Sequence, residues 1–252
     1  SVTGVQTCAL PIFVISSNII TNSGSRLQCA IFALGTSGKE NSGVIIRENN
    51  IYDILRNDAI NGSIVFISTA NTDFQITANS FYETTAWNPA NTSYAVINID
   101  NILGNNFNVS NNYIGGREPL CGGSAWSKGS SGRDNFSCIS MNVGTTTASN
   151  IQGNIITNWN YNNNSNTRFW YGISVTGGNV NIGTITSNIV GSGSGTGNIT
   201  GTNCSPLCGI NVAGSGILNI KNNIIGSITT TTASKAYGIY SLASGALTIE
   251  NN

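Results

Sequence analysis

LNIKNNII, residues 218–225, follows a simple rule: Leu218 and Ile220 are apolar, Asn219 and Lys221 polar, and an Asn pair then leads into Ile224 and Ile225. Alternation with a period of two marks a strand with one buried face. The Asn after it carries the periodicity of the whole chain. The core Ile-x-x-Asn-x-Ile returns as ISSNII, IRENNI, ITANSF, VSNNYI, IQGNII, ITSNIV and IKNNII, with a final IENN. Its Asn positions are Asn18, Asn49, Asn79, Asn112, Asn154, Asn188, Asn223 and Asn252, spaced by 31, 30, 33, 42, 34, 35 and 29 residues.

The columns around this Asn are chemically uniform. Three places before it stand Ile15, Ile46, Ile76, Val109, Ile151, Ile185, Ile220 and Ile249. Two places after it stand Ile20, Ile51, Phe81, Ile114, Ile156, Val190 and Ile225. Five places before it, Phe13, Val44, Phe74, Phe107, Leu218 and Leu247 extend the alternation, which Ser149 and Gly183 interrupt. A second run precedes most motifs (CAIFAL, SIVFIS, YAVINI, CISMNV, YGISV, CGINV, YGIYSL), and Gly-rich corners such as TGGN and AGSG separate the two. Two or three short strands cannot bury an apolar face alone, whereas stacked copies can. The sequence therefore predicts an all-β solenoid of about 7–8 coils of 29–42 residues. With strands about 4.8 Å apart, it would be roughly 35 Å long.

These motifs resemble the right-handed parallel β-helix proteins, above all the repeat-rich type secreted to bacterial surfaces. The resemblance covers Phe13 to Asn252 as a single domain. It implies right-handed winding, an extracellular or cell-surface location, and a ladder in which the motif amides of Asn18 through Asn252 bond one another inside a corner. The residues alone leave a second reading open, in which Asn suits a left-handed turn position. Because the chain stops inside a motif, both ends are expected to be uncapped edges of a longer solenoid, whose remainder would be the nearest partner.

Composition excludes several function classes. Lys+Arg and Asp+Glu are 10 each and charged residues are 8%, which leaves no basic surface for nucleic acid. No apolar run reaches membrane-spanning length. The chain has no His, so Ser-His-Asp and Cys-His chemistry are out, and without Cys-x-x-Cys spacing no zinc site is expected. No cofactor is expected either.

The polar insertions between motif and next coil are where a solenoid would place binding groups. Trp87, Trp126, Trp159 and Trp170 all lie in or beside them. Exposed, they would stack on a polysaccharide or cell-surface glycan; buried, they would anchor the loops. Cys121 with Cys138, and Cys204 with Cys208, are spaced to close two insertions as disulfides in an oxidising compartment, leaving Cys29 unpaired. Free buried thiols are the alternative. Among ten acids, Asp53 and Glu83 each sit four places after a motif Asn and should stack on neighbouring coils, with Arg47 and Arg56 close in sequence. A polysaccharide lyase or glycoside hydrolase would use such a pair. The expected role is nevertheless non-catalytic: an adhesin-like stalk or glycan-binding scaffold.

Residues 1–12, SVTGVQTCALPI, obey none of these rules. Val2 to Ile12 resemble the translation of a widely used short-read sequencing adapter. They are read as non-native, which removes Cys8 from the cysteine count.

Overall fold

A computed structural model describes residues 13–252 apart from 23, 59, 91, 130, 131 and 233. The adapter-like segment with Cys8 lies outside the described residues.

The chain is an all-β parallel solenoid of about seven turns. Strands with the same place in successive repeats stack into long parallel sheets. The motif alternation forms an eight-stranded sheet, from Val14–Ser16 at one end to Leu247–Glu250 at the other. The residues after the Asn form a seven-stranded sheet beginning at Ile19–Thr21, and the preceding apolar runs form another, from Ile31–Ala33 to Ala236–Ser241. Register keeps like with like: Ile46 pairs Ile76, Ile76 pairs Val109, and Val109 pairs Ile151. All four are completely buried.

Two expectations need correction. The insertions are not all loop, because Trp126–Lys128, Trp159–Asn162, Ile199–Thr202 and Ile228–Thr230 pair in parallel as a fourth sheet. Period-two fragments such as WNYN and NITGT carried that signal. In the sixth coil, Val180 and Ile182 take the places assigned to Gly183 and Ile185, pairing with Leu218 and Ile220. Gly183–Ile185 is a three-residue insertion, and Ile185 is 84% exposed.

The motif Asn residues from Asn49 to Asn223 face the interior corner between two sheets. Each Oδ1 accepts from the backbone N–H and the Nδ2 of the preceding coil's Asn, as from Asn49 (3.1 and 2.9 Å to Asn79 Oδ1) and Asn112 (3.1 and 3.0 Å to Asn154 Oδ1). Each Nδ2 also donates to a strand carbonyl of the coil before, as Asn112 does to Ile76 at 2.8 Å. Positive φ belongs to the neighbouring residue: Ser17, Glu48, Ala78, Asn111, Gly153, Asn222 and Asn251, each just before a motif Asn, lie between 52° and 65°. The motif Asn residues do not, so their amide chemistry, and not turn preference, fits them to the place.

Candidate functional site

The seven-stranded sheet that ends at Ala236–Ser241 turns its inner residues to an aromatic core and its outer residues away from it, where Phe32 is exposed but Ser137, Ser174, Asn211 and Cys208 are buried. The outer column runs in register through Phe32, Phe66, Asn98, Ser140, Ser174, Asn211 and Tyr240. A parallel column holds Ser63, Ala95, Ser137, Tyr171, Cys208 and Tyr237. Small polar side chains thus floor the middle of the face, and rings rise at both ends. Phe32 and Phe66 are tilted at 5.5 Å; Phe169 and Tyr171 stack at 4.1 Å with 7° between planes; Tyr237 and Tyr240 stack at 5.0 Å. The result is a cleft of about 800 Å³ lined by Phe32, Phe66, Asn98, Asp100, Ser140 and Phe169 among others. Amides and hydroxyls spaced one strand apart can bond a row of ligand hydroxyls, and the rings offer apolar faces between them.

The four tryptophans are not part of this surface. Trp87, Trp126, Trp159 and Trp170 are at most 1% exposed, so of the two expected roles they take burial, and none of them stacks on a sugar. Trp126 and Trp159 stack at 4.2 Å because the fourth sheet places them in register, and Phe136 packs against Trp87, Trp126 and Trp159. Trp87 Nε1 donates to the Leu55 carbonyl and Trp159 Nε1 to that of Ile114. Their role is burial, and the exposed aromatic signal lay instead in Phe and Tyr of the alternating runs.

Asp53 and Glu83 follow paired residues, Tyr52 and Tyr82, on adjacent coils, and converge on a cation that sequence spacing missed. Arg26 places one guanidinium nitrogen 2.6 Å from Glu83 Oε2 and the other 3.8 Å from Asp53 Oδ1. The arginines near in sequence do otherwise: Arg56 pairs with Asp58, and Arg47 lies on the exposed face of its strand. Glu83 has no exposed surface. Burial pushes its carboxyl up to about 8, against the opposing pull of Arg26, and the Asp53 charge adds to the rise. A folded-state value above the unfolded one means that this stability is full below about pH 4 and is lost as pH rises towards 8. Unfolding free energies from urea titrations should therefore fall between pH 5 and pH 8.5, by on the order of 2–4 kcal/mol from this group. Glu83→Gln should flatten that dependence; an unchanged slope would assign it to other groups.

Neither expected disulfide forms. Cys29, Cys121, Cys138, Cys204 and Cys208 are all free thiols. Cys204 faces the interior, where the Asp134 and Lys128 charges act on it. Cys208 belongs to the outer column and donates to the Ile210 carbonyl at 3.2 Å. Cys138 occupies an interior corner equivalent to Val96 and Gly172, and Cys121 directs its sulfur to the Ile155 carbonyl at 3.6 Å. Burial raises the thiols, Cys29 to about 11 and Cys121 and Cys208 to about 12. In the native protein the fully buried Cys138, Cys204 and Cys208 should react with a maleimide at pH 7.5 only slowly, and rapidly after denaturation. Fast labelling of any of them before unfolding would contradict this burial.

A separate buried cluster joins Lys128, Asp134, Tyr161 and Asn163. Lys128 Nζ lies 2.7 Å from Asp134 Oδ1 with both side chains fully buried. Tyr161 donates its hydroxyl to Asp134 Oδ2, and Asn163 Nδ2 donates to the Asp134 carbonyl at 2.7 Å. The sequence reading did not find it, because these residues are brought together only by the fourth sheet.

No known protein family, curated protein or solved structure matches this chain.

Proposed function

We propose that this chain is a non-catalytic segment of a secreted or cell-surface bacterial protein: a stiff β-solenoid stalk whose outer sheet face binds an uncharged glycan. The observation that supports this reading is the cleft floored by Asn98, Ser140 and their neighbours and bounded by the Phe32–Phe66 pair and by Phe169. Rings stack on the C–H faces of pyranoses, and amides and hydroxyls meet the equatorial hydroxyls. Its extracellular placement rests on the resemblance to surface β-helices, since the free cysteines no longer argue for an oxidising compartment. The same reading treats residues 1–12 as adapter-derived, which long-read resequencing of the locus would test.

A glycan array followed by titration calorimetry tests the binding. A neutral oligosaccharide should bind, and Phe66→Ala should weaken it about tenfold, which corresponds to about 1.4 kcal/mol. Binding that ignores both Phe66→Ala and Phe169→Ala would place the ligand elsewhere; no binding would leave only the stalk.

One observation favours a polysaccharide-cleaving enzyme as the second reading: Asp53 and Glu83 share Arg26, and Glu83 is tuned towards a neutral acid. Against it, a carboxyl without exposed surface cannot pass a proton to a bound glycosidic oxygen. A depolymerisation assay separates the two, because activity abolished by Glu83→Gln would favour the enzyme.

A further inference from the structure

The Lys128 cluster serves neither the cleft nor the acidic pair, and its chemistry is unusual for a merely structural ion pair. An amine and a carboxyl, six residues apart in sequence, are held at 2.7 Å with no exposed side-chain surface. Around it every group is fixed. Lys128 Nζ donates to the Gly132 carbonyl at 3.0 Å and lies 5.3 Å from the centre of the Tyr161 ring. The Asp134 backbone carbonyl is held by Asn163, and its second carboxylate oxygen by the Tyr161 hydroxyl. Cys204, Tyr94 and Cys138 are further titratable neighbours of the cluster.

We propose that Lys128 and Asp134 condense into an intramolecular amide, an isopeptide crosslink between Nζ and Cγ at the rim of the aromatic core. The ion pair is its reactant state. Condensation starts from the form in which the proton has moved from amine to carboxyl, and burial drives Lys128 down and Asp134 up in that sense. The Nζ lone pair attacks Cγ, and the Tyr161 hydroxyl stabilises the charge that develops on Oδ2. The amine passes one proton to Oδ1, which already carries the carboxyl proton, the C–O bond to Oδ1 breaks, and that oxygen departs as water. No oxidant, metal or second reactant is needed. Condensation of free amines and acids in water is unfavourable, but groups fixed at contact distance react at effective concentrations of about 10⁵–10⁸ M. The released water also leaves an apolar site for bulk solvent.

The test is the intact mass of the purified full chain after prolonged incubation at physiological temperature, read under denaturing and reducing conditions. The expected mass is one water below that of the sequence, with a branched fragment series joining Lys128 to Asp134. Lys128→Arg should restore the full mass. A wild-type mass equal to that of the sequence overturns the proposal. So does a water loss that persists in Lys128→Arg, which would indicate cyclisation of Asp134 onto the following backbone nitrogen. If Lys128→Arg does not fold, fragment localisation in the wild type still decides.

Discussion

Replacing Asn112 with Ala should destabilise the solenoid by about 3–5 kcal/mol, although it removes only one small side chain. Its Oδ1 accepts from the backbone N–H and Nδ2 of Asn79, at 3.0 Å each, and its Nδ2 donates to Asn154 Oδ1 and to the Ile76 carbonyl. Alanine leaves these partners in a fully buried corner without replacement, at roughly 1–3 kcal/mol for each group left unsatisfied, partly relieved by relaxation. The exposed end supplies the control. Asn18 bonds Asn49 Oδ1 but lies where water can substitute, so Asn18→Ala should cost under about 1 kcal/mol. Urea unfolding followed by circular dichroism compares the two. Equal, small losses would mean that the amides are ornaments on a stack held by apolar packing.

Measured against freshly purified chain in which the pair is still uncondensed, Lys128→Met should be comparably damaging, by about 3–5 kcal/mol, because it strands the Asp134 carboxylate in a site without water. The double variant Lys128→Met with Asp134→Leu should recover most of that loss, since an apolar pair of similar volume needs no compensation. The coupling from the four-variant cycle is the diagnostic quantity. If the double variant is as unstable as the single, the cluster matters through the bonds Tyr161 and Asn163 make to Asp134, and not through its charge.

The fold was legible because its signal repeats. A single IKNNII is compatible with many structures, but eight copies fix the sheet, the inward face and the corner together. What stayed hidden depends on contacts between coils that local pattern does not encode. Ile185 looked like a core residue until Ile182 proved to hold the register, a three-residue slip that one apolar column cannot reveal. Asp53 and Glu83 were read as neighbours from spacing, while Arg26, from the preceding coil, was not. The tryptophans marked the insertions as special, but whether a ring faces solvent is decided by the fourth sheet, whose strands are only three or four residues long. The cleft was written in plain Phe, Ser and Asn, scattered one per coil, and becomes a site only when the coils are stacked.

The Asn row has one more property, which is direction. At each observed step the amide of the earlier coil donates and that of the later coil accepts, from Asn18 to Asn49 and on to Asn223 with Asn252. The corner is therefore a vector, with aligned dipoles and two chemically different faces. A unit docking before Asn18 must bring amide donors; one docking after Asn252 must bring a carbonyl oxygen.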